Sequence, residues 1–285
     1  MKFVDILLML EDTEIPYSQG RFPVIRGDIL PILLKGNFNT VRIIGDVHGN
    51  MPGLTSAIES TSNKGKTFFL FLGDLVDYHE DGIKVVDVVS NLVKSGVAVT
   101  IRGNHERKIF NWVTQTRGDG FRGKITHGND YTIDALMAMD TSERVRWEDN
   151  FIELVKASPD WVRIGNFLFT HGAAHSDMWD YPDYSHTSKK RAKKIEALAL
   201  YGETDGTVDE KGYPTRTYNW IDDIPQDKHV MVGHSVLSTE EPVKMGNSQN
   251  PEIPMATFLD TGSSKGGKLS WIDLQVTPSG LKKIA

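Results

Sequence analysis

Three apolar runs in the first half of the chain each break off in a glycine followed by ligand-type side chains, and this restricts the fold more than any other feature. Residues 43–50 read IIGDVHGN, a β-branched strand that ends by presenting a carboxylate and an imidazole two residues apart. The pattern predicts strands over 40–44, 67–72 and 97–101, with helices over 51–61, over 83–96 and from 105 onward. Strands that are apolar almost without interruption need cover on both faces, and strand–helix alternation implies βαβ units with a parallel sheet. In such sheets, ligands sit beyond the carboxyl ends of the strands. Those ends read Gly45-Asp46-Val47-His48-Gly49, Gly73-Asp74-Leu75-Val76-Asp77 and Gly103-Asn104-His105-Glu106. Two later strands end in the same way, at Thr170-His171-Gly172 and Gly233-His234-Ser235. Each piece alone is an ordinary turn or a core histidine. Together they place Asp, Asn and His donors at five strand ends, and that suits a pair of divalent ions sharing one carboxylate.

Cysteine is absent, so any metal is held by oxygen and imidazole donors, which favours hard or borderline ions. The net charge of −6 argues against a protein that wraps nucleic acid by general basicity. The opening MKFVDILLML is apolar but short and interrupted by Asp5; its spacing predicts a helix rather than a signal peptide. No run reaches membrane-spanning length, and the expected location is the cytoplasm.

Further along, 131–156 reads as helix, 161–170 as short strands, and 175–227 as polar and irregular apart from a helix near 189–201. Strands are expected at 229–233, 256–260 and 268–274, and a surface loop at 244–252. No linker forces a second domain. The expectation is one domain over 1–285, with 1–40 a helical extension and about 175–227 an insert near the site. His79, His127, His175, His186 and His229 lack the strand-end context and are read as core or surface histidines, His79 and His175 lying nearest the motifs. The KKRAKK run at 189–194 is read as a solvated helix face.

The ordered set GDVHG, GDLVD, RGNHE, HG and GH resembles the calcineurin-like metallophosphoesterases, in their phosphoprotein-phosphatase branch, over about 41–274. The resemblance implies an α/β fold, a four-layer αββα sandwich, around two divalent metal ions. Manganese is the expected metal, with iron, zinc, nickel and magnesium the alternatives. It implies that Asp46, His48 and Asp74 hold the first ion and that Asp74 bridges to a second, completed by Asn104, His171 and His234. His105 would be the general acid, oriented by Asp77, and Arg102 a source of local charge.

The stretch LALYGETDGTVDEKGYPTRTYNW, with the later VMVGHS and FLDTGSSKGGKLSWIDL, is similar to the phosphatase module of bacterial polynucleotide kinase-phosphatases, where Asp260 matches a functional aspartate. That similarity implies action on nucleic-acid ends, at 2′,3′-cyclic phosphates or 3′-phosphates. No P-loop is present, so a kinase or ligase would be a separate partner. The alternatives are a Ser/Thr protein phosphatase, a dinucleoside polyphosphate hydrolase and a non-catalytic metal-binding module. One departure is plain: these families follow GDLVD with Arg-Gly, and this chain has Tyr78-His79. Loss of that arginine predicts a preference for phosphodiesters over monoesters, because a doubly charged monoester gains more from a bidentate guanidinium. Tyr78 is then a candidate substrate contact.

Overall fold

The computed structural model describes residues 28–61, 66–117, 120, 123–126, 128–180, 188–210 and 212–284. The helix expected in the first residues, His127 and His186 lie outside them.

Strands β1 (Thr40–Ile44), β2 (Thr67–Phe71) and β3 (Ala98–Thr100) run parallel, as the alternation predicts. Helices α2 (Met51–Glu59) and α3 (Gly82–Lys94) form the two crossovers, after the short α1 (Leu30–Lys35). Next come α4 (Asn104–Thr116), α5 (Asn129–Ala138), α6 (Thr141–Ala157), β4 (Trp161–Ile164), β5 (Phe167–Thr170), α7 (Asp177–Asp180) and α8 (Lys189–Tyr201). The chain continues through β6 (Glu203–Val208), β7 (Pro214–Thr217), β8 (His229–Val232), β9 (Val243–Met245), β10 (Ala256–Phe258), β11 (Trp271–Thr277) and β12 (Gly280–Lys283). Two five-stranded mixed sheets result, in the orders β12-β11-β1-β2-β3 and β4-β5-β8-β10-β9.

The period-two geometry of β2 shows how the layers form. Phe68 and Leu70 point into the core between the sheets, where they join Val41, Ile43, Phe169 and Met231. Phe69 and Phe71 point the other way and pack under α2 to α6 with Val86, Val89, Ile109 and Phe151. A third cluster packs α8 residues Ile195 and Ala199 against Leu168, Val230 and Phe258 of the second sheet. Both sheets are thus covered on both faces, the αββα arrangement that the resemblance implies. No helix among the described residues is long and apolar enough to cross a membrane.

Three local readings are revised. The helix read over 131–156 is two helices, because Asp140 caps α6 by accepting a hydrogen bond from Glu143 N at 2.8 Å. The stretch read as irregular after α8 holds an antiparallel β6–β7 hairpin, whose mostly exposed polar residues give no apolar alternation. The loop read over 244–252 begins within edge strand β9.

His229 is a core histidine. Its Nδ1 lies 3.1 Å from Pro254 O and its Nε2 2.8 Å from Thr257 Oγ1. Burial, with Lys283 and Lys244 nearby, pushes its pKa from 6.5 down to about 4. A depressed folded-state pKa gives stability that is present above about 6.5 and lost as pH falls toward about 4, by at most about 3 kcal/mol. Denaturant unfolding at pH 7 and pH 4.5 checks this: the pH-dependent loss is expected to be smaller in His229→Gln than in the unaltered protein. Identical losses would show that His229 is not the group involved.

Candidate active site

β1, β2 and β3 of one sheet and β5, β8 and β10 of the other deliver their carboxyl ends to one edge. The loops there and the first turn of α4 carry Asp46, His48, Asp74, Tyr78, Asn104, His105, His234 and Asp260, all lining a cavity of ≈ 460 Å³. His171, wholly buried, stands behind Asn104, with Nε2 3.0 Å from its Oδ1. Six non-glycine residues among those described adopt positive φ, and five are here: His48, Asp74, Asp77, Tyr78 and His234, at 47° to 78°. Such conformations cost on the order of 1–3 kcal/mol each and persist only where the surroundings fix them.

The surroundings do so. Glu106, buried at the start of α4, accepts hydrogen bonds from Asp74 N (2.8 Å), Leu75 N (2.7 Å) and Gly103 N (3.0 Å), locking the second loop to the third. His48 N and Val47 N donate to Asp74 O. Asp46 accepts from His234 N, linking the two sheets. A Cβ on Gly103 would lie 2.1 Å from Asp74 Oδ1, and one on Gly233 would lie 2.1 Å from Asp46 Oδ1, so only glycine allows these approaches.

The donor set fits divalent cations. Asp74 Oδ2 lies 3.3 Å from His171 Nε2, 3.7 Å from His48 Nε2 and 3.9 Å from His105 Nε2. Among the described residues, two groups have all their donor atoms within 4.8 Å of one another, His48–Asp74–His105 and Asp74–His171–His234, and Asp74 belongs to both. Carbonyl oxygens only accept, so the contacts of His48 Nδ1 with Val76 O (2.9 Å) and His171 Nδ1 with Leu72 O (2.8 Å) place the proton on Nδ1. Nε2 of both rings then faces Asp74, the side from which a metal would bind. Burial pushes the His171 pKa down, but Asp74 outweighs it and raises it, an interaction that a cation would replace. His234 Nε2 is buried and finds no hydrogen-bond partner among the described residues. Burial pushes the His48 pKa down to about 3 and that of His234 well below the usual imidazole range, keeping both in the neutral ligand form. Burial, Asp260 and Asp74 push the Asp46 carboxyl up, a repulsion that a cation relieves. Asp46 lines the cavity with His48 but belongs to neither close group, whereas His105 belongs to the first.

His105 Nδ1 sits 2.6 Å from Asp77 Oδ2. Asp77 is wholly buried, accepting from Thr132 Oγ1 at 2.7 Å and from Asn129 Nδ2. Burial pushes the His105 pKa down, but Asp74 and Asp77 outweigh it and raise it to about 9. The Tyr78 ring meets those of His48 and His105 edge-on or tilted, with centroids 5.0 and 5.5 Å away. Asp260 is buried at the end of β10 and accepts from Gly262 N.

Arg102 is not where the charge is needed. Its side chain is buried and ion-paired with Asp160 and Glu196, and it does not line the cavity. The cations that do are Arg107, Lys108, Arg216 and Lys265. Arg216, on β7, donates to Tyr201 O. His175 stays out of the cavity, accepting from Asp177 N through Nδ1, and His79 is exposed. Sequence reasoning gave no role to Glu106, Asn129, Thr132 or Arg216. Asn129 and Thr132 meet Asp77 across more than fifty residues and carry no local motif.

Comparison with known proteins agrees with this geometry. The calcineurin-like phosphoesterase family matches residues 40–256. A bis(5′-nucleosyl)-tetraphosphatase PrpE (asymmetrical) of Geobacillus thermodenitrificans is 27% identical over 241 residues, covering 81% of this chain and 88% of that protein. One of the same name from Halalkalibacterium halodurans is 28% identical, covering 80% and 87%. A protein serine/threonine phosphatase from Saccharomyces cerevisiae shares the fold, with a TM-score of 0.56 at 13% identity over 98% of this chain and 84% of that one. Histidines and carboxylates gathered at the strand ends of two packed sheets, together with this match over most of the chain, place the protein in the calcineurin-like phosphoesterase family, as a metal-dependent enzyme that hydrolyses phosphate esters.

Proposed function

We propose that the enzyme cleaves nucleotide phosphates whose scissile phosphorus is substituted on both sides, with dinucleoside polyphosphates as the substrate class. The observation that carries this is the charge layout. Arg107, Lys108, Arg216 and Lys265 ring a cavity that also presents Asp46, Asp74 and Asp260. Four cations suit a chain of several phosphates better than one isolated phosphate. Tyr78 in place of arginine agrees, because a phosphorus inside a polyphosphate chain, like that of a diester, carries one charge rather than two. The names of the two bacterial relatives support the same class. A 2′,3′-cyclic nucleic-acid end also has a doubly substituted phosphorus, and it is the second reading.

Asp46, His48, Asp74, Asn104, His171 and His234 would hold two divalent ions, manganese being the expected pair. When bound, such ions polarise phosphoryl oxygens and lower the pKa of water. The protein's own residues do the rest. Arg216 and its neighbours bind and align the phosphates. Asp77 fixes the His105 proton on Nδ1, so a charged His105 presents a second proton on Nε2 toward the leaving oxygen.

The test is a substrate panel with added manganese: diadenosine tetraphosphate, a 2′,3′-cyclic phosphate end, a 3′-phosphate end and a phosphopeptide. The dinucleotide is expected to give the highest kcat/KM, and a phosphopeptide or 3′-phosphate in first place would overturn the reading. Arg216→Ala is expected to lower kcat/KM for the dinucleotide by about 10²-fold, roughly the loss of one bidentate phosphate contact. An unchanged value would remove Arg216 from substrate binding.

A further inference from the structure

A second cavity, of ≈ 780 Å³, lies beside the first and shares Tyr201, Pro214 and Arg216 with it. We propose that it holds the second nucleoside of a substrate whose phosphate chain crosses Arg216. The inference rests on the dinucleotide reading and adds where the distal half binds.

Three observations carry it. The first is charge. The catalytic cavity sets four cations against Asp46, Asp74 and Asp260, whose charge bound metal ions would offset, whereas the second balances Lys194 and Arg216 against Glu203 and Asp223. A cavity without excess positive charge suits an uncharged nucleoside, whose hydroxyls and exocyclic amine hydrogen-bond to carboxylates. The second is the partition. Arg216 lines both cavities, held there by its bond to Tyr201 O. Gly202 makes room: a Cβ there would lie 3.0 Å from Arg216 Nη1, and its φ of 70° suits glycine. A guanidinium at the boundary can grip a phosphate on either side. The third is an aromatic surface. Tyr201, at the end of α8, is 44% exposed and lines both cavities, leaving ring surface on which a base can stack. The volume lies within the range of ordinary small-molecule sites.

Ala197 offers a clean probe. It is exposed on α8, lines the second cavity and is absent from the first. Ala197→Trp would place an indole in the second cavity without disturbing the core or the catalytic groups. The KM of diadenosine tetraphosphate is measured or, if it is not cleaved, its inhibition constant against a nitrophenyl phosphodiester. ATP, with one nucleoside, is the control inhibitor. The substitution is expected to weaken the dinucleotide by about 10-fold or more and ATP by less than about 2-fold, the difference being the loss of one stacked, enclosed base. Equal weakening of both, no weakening of either, or no binding of the dinucleotide to the unaltered enzyme would overturn the inference. A dinucleotide that binds, responds to Ala197→Trp and is not hydrolysed would overturn the proposed substrate while upholding the cavity's role.

Discussion

Asp74→Ala is expected to reduce kcat/KM on every phosphoester by about 10³-fold or more, the largest loss of any metal-ligand substitution in this site. Asp74 Oδ2 faces three imidazoles within 3.9 Å, and Oδ1 accepts a hydrogen bond from His105 N at 3.0 Å. Asp74 is the one residue common to both close donor groups, so its removal disrupts both. Burial pushes its pKa up, but the His171 and His105 imidazoles outweigh that and hold it well below the usual carboxylate range, so it is ionised in the working pH range. The measurement pairs turnover with metal content and with thermal unfolding, which separates a lost site from a lost fold. A folded variant that keeps near-normal turnover would contradict the assignment.

His105→Ala is expected to lower turnover by roughly 10²–10⁴-fold on substrates with poor leaving groups, and only slightly on a nitrophenyl ester, whose leaving oxygen needs no proton. The 2.6 Å contact with Asp77 motivates this, since a buried carboxylate both orients the ring and favours its charged form. Asp77→Asn is expected to show the same dependence on leaving group with a smaller loss. Equal losses of His105→Ala on both substrate types would mean that His105 acts by position alone; its place in the His48–Asp74–His105 group makes that outcome chemically meaningful.

The parts of the fold legible in the sequence were those with local periodicity. The FFLF of residues 68–71 is apolar throughout because Phe68 and Leu70 fill the core between the sheets while Phe69 and Phe71 fill the layer beneath the helices. The β6–β7 hairpin was not legible, since its strands put no residue in the core and carry no apolar alternation. The strand-end glycines with their Asp, Asn and His neighbours were legible because a chemical pattern recurred at the end of each strand. The residues that hold those groups in place were not. Glu106 works through backbone amides more than thirty residues away at Asp74 and Leu75. Arg216 enters the cavity from a strand whose sequence resembles a surface loop. Arg102, which opens the RGNHE motif, was read as a source of local charge at the site, yet Asp160 and Glu196 hold it in the interior.

The most direct test of a metal-dependent phosphoesterase centre is elemental analysis joined to turnover of a nitrophenyl phosphodiester as bound metal is stripped with a chelator. About two divalent ions per chain are expected at full activity, with turnover falling in step with metal content and returning on addition of manganese. Full turnover by protein shown to be metal-free would contradict the account.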